Sequence, residues 1–404
     1  MQRLREVPWE ALDVAAVLPA IARVLAGAPA ERELERMLRG HRDFSREQRR
    51  AAAEAVFGVA LWRRRLAWQA GISFPALSIG APRPHPGPII SNGSDIPANL
   101  LACLIRDLAE ADLPEALDTA PPPRRGEPER LADRWSLPDW LEQVLLEELG
   151  PQAEEFCAAI AVPGPVCLRA NRLLCTRERL AEALAAEGIA TRPAARAPDA
   201  LVVETPQANL FGSRAWREGL FEPQDEGSQL LGLLLEARPG ETVLDLCAGA
   251  GGKSLLLAAE RARVLAHDID AERLARLRSR ARRAHAEERI EIVPAPAPAD
   301  RVLVDAPCSE LGTLRRGPDA RWRIDPTKLA TLPQTQRALL ETAAPLARVR
   351  LVYATCTIAC RENEEVAESF ERAHPELRRA RDFWRTLPHS DGTDGFFAAI
   401  WDRA

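Results

Sequence analysis

The stretch VLDLCAGAGGKS, from Val243 to Ser254, decides the fold of this chain. Its first four residues form an apolar run typical of a buried parallel strand, and the next six are small residues that let the backbone turn tightly. From Lys253 onward, the sequence KSLLLAAERA indicates a helix whose N-terminus faces that turn. A strand, a glycine-rich turn and a helix in this order predict the ligand-binding edge of a doubly wound α/β sheet.

The glycine-rich turn matches neither the phosphate loop GxxxxGK[ST] nor the dinucleotide fingerprint GxGxxG. This favours S-adenosylmethionine over ATP or NAD, because its carboxylate and sulfonium require close approach of the backbone rather than a phosphate cradle. A purely structural glycine turn is the alternative reading. Asp268, at the tip of the next predicted strand, is placed to accept hydrogen bonds from ribose hydroxyls, whereas Asp270 fits better as the N-cap of the following helix.

The composition is that of an ordinary globular chain: 404 residues, 46% hydrophobic and 28% charged, enough for two or three domains. No apolar run approaches the roughly 20 residues that span a membrane, and the N-terminus lacks an apolar signal segment, so we expect a cytoplasmic protein without membrane contact. The eight cysteines lack CxxC spacing, so we expect no metal. Nothing demands a dimer, and the net charge of −5 argues only weakly against nucleic acid.

Three predicted parts divide the chain. Residues 1–125 have helical spacing and end in a proline-rich linker, residues 126–215 form a small α+β unit, and residues 216–404 contain the α/β sheet. A capping box from Ser45 to Gln48 opens the strongest N-terminal helix, which carries the basic run Arg63–Arg65. These arginines are either a solvated face or contacts to RNA phosphates.

Two cysteines follow two further predicted strands. The strand that ends at Asp305 runs into Cys308, and the strand LVYAT leads to Cys356. Because catalytic groups of such sheets gather at the carboxyl ends of the strands, we expect this acid and both thiols to lie together. One cysteine so placed is often only a small buried hydrophobe, but two beside an acid favour catalysis.

This set of groups suits methylation of a pyrimidine at carbon 5. That carbon becomes nucleophilic only after a thiolate adds to carbon 6, and the reaction then needs an acid near N3 and a base that removes the carbon 5 proton. A thiolate needs a lowered pKa, and basic residues after Cys308 could lower it while binding phosphate. These basic residues are Arg315, Arg316, Arg321 and Arg323.

This chain contains all of the following motifs: LDLCAGAGGKS, DID, DAPCSELGTLRRGPDARW, LVYATCT followed by RENEE, and DGFF. By these motifs it resembles the RsmB-like (Nop/Sun-type) RNA cytosine-5 methyltransferases along nearly its whole length. The resemblance implies a Rossmann-like class I methyltransferase domain preceded by a small α+β (RRM-like) unit and an all-α NusB-like domain. It also implies S-adenosylmethionine as cofactor and, as partner, 16S ribosomal RNA or a precursor of the small ribosomal subunit.

The resemblance also implies roles for individual residues. Cys356 would be the nucleophile, and Cys308 would help to release the methylated product. Asp305 would contact N3 and the amino group of the cytosine, beside the cofactor and with Lys253 nearby. The ribose would bind Asp268. The methionine part of the cofactor would lie against Cys247, Ala248, Gly249, Ala250, Gly251, Gly252 and Lys253.

The sequence departs from the family pattern at several points, among them Thr357 in place of the usual serine and the absence of a Gly-Gly pair before the strand LVYAT. Ala250 and Ser254 replace the proline and threonine of the usual CAAPGGKT, and the segment between Arg289 and Arg301 lacks the acid that normally lies near the adenine. Asp300 is too close to the next strand to replace it. The missing acid slightly favours a non-catalytic RNA-binding ribosome assembly factor, an alternative that the retained cysteines oppose. The helical domain and the second cysteine disfavour a DNA methyltransferase.

Overall fold

The computed structural model describes residues 2–72, 96–117 and 122–404. The chain forms two compact units, which we call the helical unit (Met1–Pro163 with Leu314–Thr327) and the sheet unit (Gly164–Thr313 with Lys328–Ala404). Within the described ranges, no helix has both the length and the apolar character that crossing a membrane requires.

The secondary-structure elements are numbered along the chain. The helices are α1 Gln2–Arg5, α2 Val14–Leu25, α3 Ala30–Gly40, α4 Arg46–Gln69, α5 Ile96–Cys103, α6 Leu131–Trp135, α7 Asp139–Leu149, α8 Ala153–Ile160, α9 Arg177–Ala185, α10 Arg214–Arg217, α11 Glu226–Leu233, α12 Gly252–Ala259, α13 Ala271–Arg283, α14 Ala320–Arg323, α15 Lys328–Ala343, α16 Glu364–Ala373 and α17 Pro388–Asp391. The strands are β1 Cys167–Ala170, β2 Thr191–Pro193, β3 Ala200–Val203, β4 Phe221–Pro223, β5 Thr242–Asp245, β6 Arg263–Ala266, β7 Ile290–Ile292, β8 Ala299–Asp305, β9 Ala347–Thr355, β10 Leu377–Arg379, β11 Trp384–Thr386 and β12 Phe396–Arg403.

The helical unit packs around α4. Its capping box is confirmed: Ser45 Oγ accepts from the Gln48 amide at 3.1 Å, and the Gln48 side chain accepts from the Ser45 amide at 2.9 Å. The apolar residues of this helix, among them Val56 and Leu66, are buried in one contiguous core with α2, α3 and α5. The 3.6-residue spacing that predicts the helix therefore also predicts its buried face.

The basic run on α4 lies inside the helical unit, so both readings of Arg63–Arg65 from the sequence are wrong. Arg64 donates to Asp133 at 2.6 Å and to Asp139 at 2.7 Å. Arg65 makes a two-pronged contact with Glu127 at 2.8 and 2.9 Å. A buried guanidinium must be paired, and here its partners come from residues more than sixty positions away. The run therefore fastens α4 to the segment that follows it, inside the same unit.

Through these ties, the segment that follows α4 as far as Pro163 packs within the helical unit. The segment Leu314–Thr327 also belongs to it, and Arg321 is its anchor. The Arg321 side chain is fully buried and donates to the carbonyls of Trp135 at 3.0 Å and Ile160 at 2.9 Å. Burial lowers the pKa of Arg321 to about 10. Arg321 is thus an internal tie, not the exposed phosphate ligand expected from the sequence.

The sheet unit begins with a small antiparallel sheet in the order β2-β3-β1-β4. Helix α9 starts at its N-cap Thr176 and packs Leu180 and Leu184 against this sheet, in a core that includes Phe221. The small α+β unit expected from the sequence is therefore present. Its last strand, β4, precedes α11 and the first strand of the larger sheet in the chain.

The larger sheet has eight strands, in the order β10-β12-β9-β8-β5-β6-β7 with β11 paired to β12. Strands β5 to β9 run parallel, whereas β12 is antiparallel to β9. Alternate residues of one strand enter different cores: Val243 packs with α12, and its neighbour Leu244 packs with the layer that contains α15 and α16. Helices therefore cover both faces, which confirms the doubly wound, Rossmann-like α/β fold.

Candidate active site

The glycine-rich turn joins the carboxyl end of β5 to the N-terminus of α12. Gly249 and Gly251 have positive φ angles of 54° and 87°, a conformation that other residues adopt only with strain. A Cβ atom on Gly251 would also approach the Leu277 side chain to 2.1 Å. Both features favour glycine at these positions, and without side chains the backbone of the turn stays accessible to a ligand.

Asp268 follows β6 and is held at the same edge of the sheet. Its two carboxylate oxygens accept from the amides of Gly249 and Asp270, each at 2.8 Å. Asp270 is the N-cap of α13, as the sequence indicates. Ile269 lies between these two acids and is 99% exposed, so an apolar side chain stands open beside the ribose candidate, a feature that the sequence alone did not reveal.

The end of β5 carries a second, buried acid. Asp245 Oδ2 accepts from Ser254 Oγ at 2.6 Å, while its Oδ1 has no hydrogen-bond partner in the described part of the chain. Burial raises the pKa of Asp245 to about 7, although the bond from Ser254 opposes this rise. An orphaned acceptor below a glycine turn suits a small ligand with an amino group, so the residues present fit S-adenosylmethionine.

Two arginines hold the carbonyls of the glycine-rich turn. Arg169, at the end of β1, donates to the Gly252 carbonyl at 2.9 Å. Arg280, on α13, donates to the Ala250 carbonyl at 2.7 Å and to Glu222 at 2.9 Å. Burial lowers the pKa of Arg169 to about 10. Arg169 thus supports the backbone of the turn.

Lys253 and Asp305 form an ion pair above this turn, with Lys253 Nζ 2.6 Å from Asp305 Oδ2. The lysine side chain is 11% exposed and the aspartate side chain 31%. Burial lowers the pKa of Lys253, but the attraction of Asp305 outweighs this effect and raises it above its usual value. The carboxylate therefore stays oriented at the carboxyl end of β8 while it remains open to a ligand.

Cys308 and Cys356 lie beside this ion pair with their Sγ atoms 3.3 Å apart. The Cys356 amide also donates to Cys308 Sγ at 3.3 Å, and neither cysteine forms a disulfide. The structure thus brings together all four residues to which the sequence assigned chemistry. Cys247, in the turn itself, has its pKa raised by burial, so its thiol has no tendency to ionise.

The resting state of Cys356 differs from the expectation of a lowered thiol pKa. The hydrogen bond with Cys308 and burial together raise the pKa of Cys356 well above that of an ordinary cysteine. Of the four arginines that were expected to oppose this rise, Arg321 is instead buried against the carbonyls of Trp135 and Ile160. In the free protein, the Cys356 thiol therefore remains protonated at neutral pH.

We expect alkylation of Cys356 by iodoacetamide to be slow at pH 7 in the free protein. A raised pKa means that the thiolate appears only as the pH rises, so the rate should increase about tenfold per pH unit without a plateau below pH 9. Peptide mass spectrometry measures the rate of Cys356 alkylation at a series of pH values from about 6 to about 10. In Cys308→Ala the midpoint should move to lower pH, and an unchanged profile would contradict the assigned cause.

Two glycines pack the cysteine loops against the last strand. The Gly312 amide donates to the carbonyl of Cys356 at 2.9 Å, and the Gly395 amide donates to the carbonyl of Gly312 at 2.8 Å. A Cβ on Gly312 would lie 2.1 Å from the Gly395 carbonyl oxygen. The DGFF motif, to which the sequence assigned no role, therefore supports the loop that follows Cys308.

Asp300 lies at the other end of the sheet, as the sequence indicates. Its Oδ2 accepts from the Thr242 amide at 2.8 Å, where β5 begins. Across the described ranges there is also no group of three or more His, Cys, Asp or Glu side chains arranged to hold a metal ion. The candidate site therefore consists of the turn, Asp268, the ion pair and the two thiols.

Known proteins resemble this chain in sequence. A family model described as 16S rRNA methyltransferase RsmB/F matches residues 232–401, and a model of an RsmF/B-like ferredoxin-like domain matches residues 137–209. The chain is 34% identical to the probable ribosomal RNA small subunit methyltransferase B of Bacillus subtilis strain 168, over 66% of each protein. It is 32% identical to the corresponding protein of Synechocystis, over 68% of each. The chain thus spans about two thirds of the length of these relatives.

Solved structures resemble it in fold. The crystal structure of PH0851 is 25% identical, with a TM-score of 0.76 and coverage of 98% of this chain and 99% of that one. NSun6 from Pyrococcus horikoshii with SFG is 18% identical, with a TM-score of 0.59 and coverage of 66% and 98%. The second likeness concerns the fold alone.

Proposed function

Because the chain belongs to the RsmB/F family of 16S ribosomal RNA methyltransferases, we propose that it methylates carbon 5 of a cytosine in 16S ribosomal RNA through a covalent cysteine–cytosine intermediate. The observation that carries the proposal is the 3.3 Å approach of Cys308 Sγ to Cys356 Sγ beside an ion pair. Two adjacent thiols allow one to bond to the base while the other handles a proton.

In the proposed reaction, the Cys356 sulfur bonds to carbon 6 of the cytosine while its proton passes by way of Asp305 to N3. The electrons of the carbon 5–carbon 6 double bond then form a carbon 4–carbon 5 double bond, which makes carbon 5 nucleophilic. Asp305 accepts hydrogen bonds at the N3 and amino edge of the base, which favours the protonated N3 and draws electron density away from carbon 6. The Lys253 ammonium, 2.6 Å from Asp305, keeps that carboxylate oriented. These three residues therefore lower the barrier to thiolate addition.

S-adenosylmethionine is the cofactor and supplies an electrophilic methyl group when it is bound. The turn from Cys247 to Gly252 and the Asp268 carboxylate would hold it at the edge of the sheet. After transfer, the carbon 5 proton must leave before Cys356 can depart. Cys308 is the neighbouring group that can relay the carbon 5 proton to the departing Cys356 sulfur, while the carbon 5–hydrogen electrons re-form the ring double bond and the carbon 6–sulfur bond breaks.

We expect Asp268→Asn to weaken S-adenosylmethionine binding about 10- to 100-fold, because a hydrogen bond to a charged acceptor contributes about 1.5 to 3 kcal/mol. Isothermal titration calorimetry measures the affinity. Asp270→Asn is the matched control, since asparagine still caps α13 and the affinity should not change. Equal affinities in Asp268→Asn and the unmodified protein would move the ribose contact elsewhere.

The test of the proposed function is bisulfite sequencing of 16S ribosomal RNA from a strain that lacks the gene. One protected cytosine should lose its protection, and the purified protein with S-adenosylmethionine should restore it on that RNA. A non-catalytic assembly factor would instead bind the RNA without transferring a methyl group. A full 5-methylcytosine pattern in the deletion strain would refute the proposal.

A further inference from the structure

A buried pair of polar residues, Glu362 and Asn363, lies between the loops that carry the two cysteines. Both side chains are 0% exposed. They belong to the RENEE sequence after β9, and none of the chemistry proposed above uses them. Buried polar groups cost free energy unless they are hydrogen-bonded, so their contacts indicate what they do.

Glu362 holds the loop of Cys308. Its Oε2 accepts from the Ser309 amide at 2.9 Å and its Oε1 from Ser309 Oγ at 2.5 Å. Gln336 Nε2, on α15, donates to Glu362 Oε2 at 2.9 Å and to the Pro307 carbonyl at 3.0 Å. The residues on both sides of Cys308 are thus tied to one carboxylate.

Asn363 holds the loop of Cys356 in the same way. Its Oδ1 accepts from Thr355 Oγ1 at 2.6 Å, and its Nδ2 donates to the Thr357 carbonyl at 3.0 Å. A hydroxyl pair then joins the two loops directly, with Ser309 Oγ 2.7 Å from Thr357 Oγ1. Glu362 and Asn363, which are adjacent in the chain, therefore hydrogen-bond to the residues that flank Cys308 and Cys356.

We propose that Glu362 and Asn363 are positioning residues that set the separation of the two active-site thiols. The hydrogen bonds of both side chains run to groups beside the cysteines, so each side chain acts through the backbone and hydroxyl groups that flank Cys308 and Cys356. Only the catalytic consequence rests on the proposed function, because the separation is a property of the protein without RNA.

The decisive variant is Glu362→Gln, which keeps the size of the side chain. An amide nitrogen then faces at least one of the donors from Ser309 and Gln336, and one tie to the Cys308 loop is lost. We expect kcat to fall about 100-fold, as for a misplacement of about 1 Å, while KM for RNA and the affinity for S-adenosylmethionine stay unchanged. Asn363→Asp, which loses the donor to Thr357, should behave alike.

A second readout needs neither RNA nor activity. The groups whose charges act on Cys356 are those of Cys308, Asp305, Glu310 and Lys253, and all of these remain in Glu362→Gln. If the loops separate, Cys356 loses its hydrogen bond with Cys308, and its iodoacetamide profile should shift to lower pH. A residue that served only overall stability would lower the melting temperature without moving this profile.

Glu365→Gln is the matched control, because Glu365 is exposed two residues from Asn363 and loses the same charge. It should match the unmodified protein in both readouts. Wild-type kcat together with a wild-type alkylation profile in Glu362→Gln would overturn the proposal. If Glu362→Gln fails to fold, Ser309→Ala removes one of the same ties and must shift the alkylation profile. If the unmodified protein proves inactive, the proposed function fails, and the alkylation arm still decides the positioning role.

Discussion

Cys356→Ala should abolish methyl transfer, with a loss of at least about 10⁴-fold in rate, as is common when a covalent nucleophile is removed. Without Sγ at this position, no group can add to carbon 6 of the cytosine, and carbon 5 stays unreactive. The measurement is transfer of labelled methyl from S-adenosylmethionine to 16S ribosomal RNA. Alanine removes one sulfur atom from a half-buried position, so the fold should persist.

Cys175→Ala provides the control for this substitution. Cys175 is also half-buried and free, but it lies in the small α+β part, where its Sγ is 3.5 Å from the Leu220 carbonyl. Its variant should retain full activity. S-adenosylmethionine should bind Cys356→Ala as it binds the unmodified protein, because the glycine-rich turn is untouched. Residual activity in Cys356→Ala near that of the control would disprove the nucleophile assignment.

Cys308→Ala should have the opposite effect on the intermediate and accumulate a covalent protein–RNA adduct. The addition by Cys356 does not need Cys308, and loss of its hydrogen bond even lowers the pKa of the nucleophile. Elimination does need a group near the sulfur, and Cys308 is 3.3 Å away. Addition and transfer therefore proceed while release slows, so a band that survives denaturing electrophoresis should appear with 16S ribosomal RNA and S-adenosylmethionine.

The double variant Cys308→Ala/Cys356→Ala distinguishes this adduct from other crosslinks. It retains every remaining cysteine but lacks the proposed nucleophile, and it should form no stable complex under denaturing conditions. Turnover of Cys308→Ala at the unmodified rate, with no adduct, would contradict the release role. An adduct that persists in the double variant would place the covalent bond on another residue.

Local patterns of the sequence were sufficient for the fold class and for the members of the site. Val243–Ser254 contains a strand, a turn and a helix start within twelve residues, and each depends on interactions between near neighbours in the chain. Asp305, Cys308 and Cys356 were predicted to meet because parallel strands share one carboxyl edge, which is a rule of topology. The structure brings them together for that reason.

Burial was decided only by the tertiary structure. Arg63–Arg65 have the same sequence whether they face water, RNA or Asp133, and it is the packing of α6 on α4, with Asp139 as a further partner of Arg64, that helps to enclose them. Leu314–Thr327 follows the motif of Cys308 in the chain, yet its side chains are anchored within the helical unit. Arg321 contacts Trp135 and Ile160, which lie 186 and 161 positions away from it in the chain. No local periodicity encodes contacts over such separations.

The pKa of the Cys356 thiol likewise could not be predicted from the sequence. A neighbouring arginine in the chain suggested a lowered pKa, whereas the three-dimensional neighbour of Cys356 is a second thiol in a partly enclosed site, which raises it. Glu362 and Asn363, which the sequence shows only as part of the RENEE motif, are fully buried and hydrogen-bonded to the cysteine loops. Sequence alone determined which groups this protein brings to its site, because motifs and strand order are local or topological. Tertiary structure decided their charge and support, because both depend on desolvation and on partners distant in the chain.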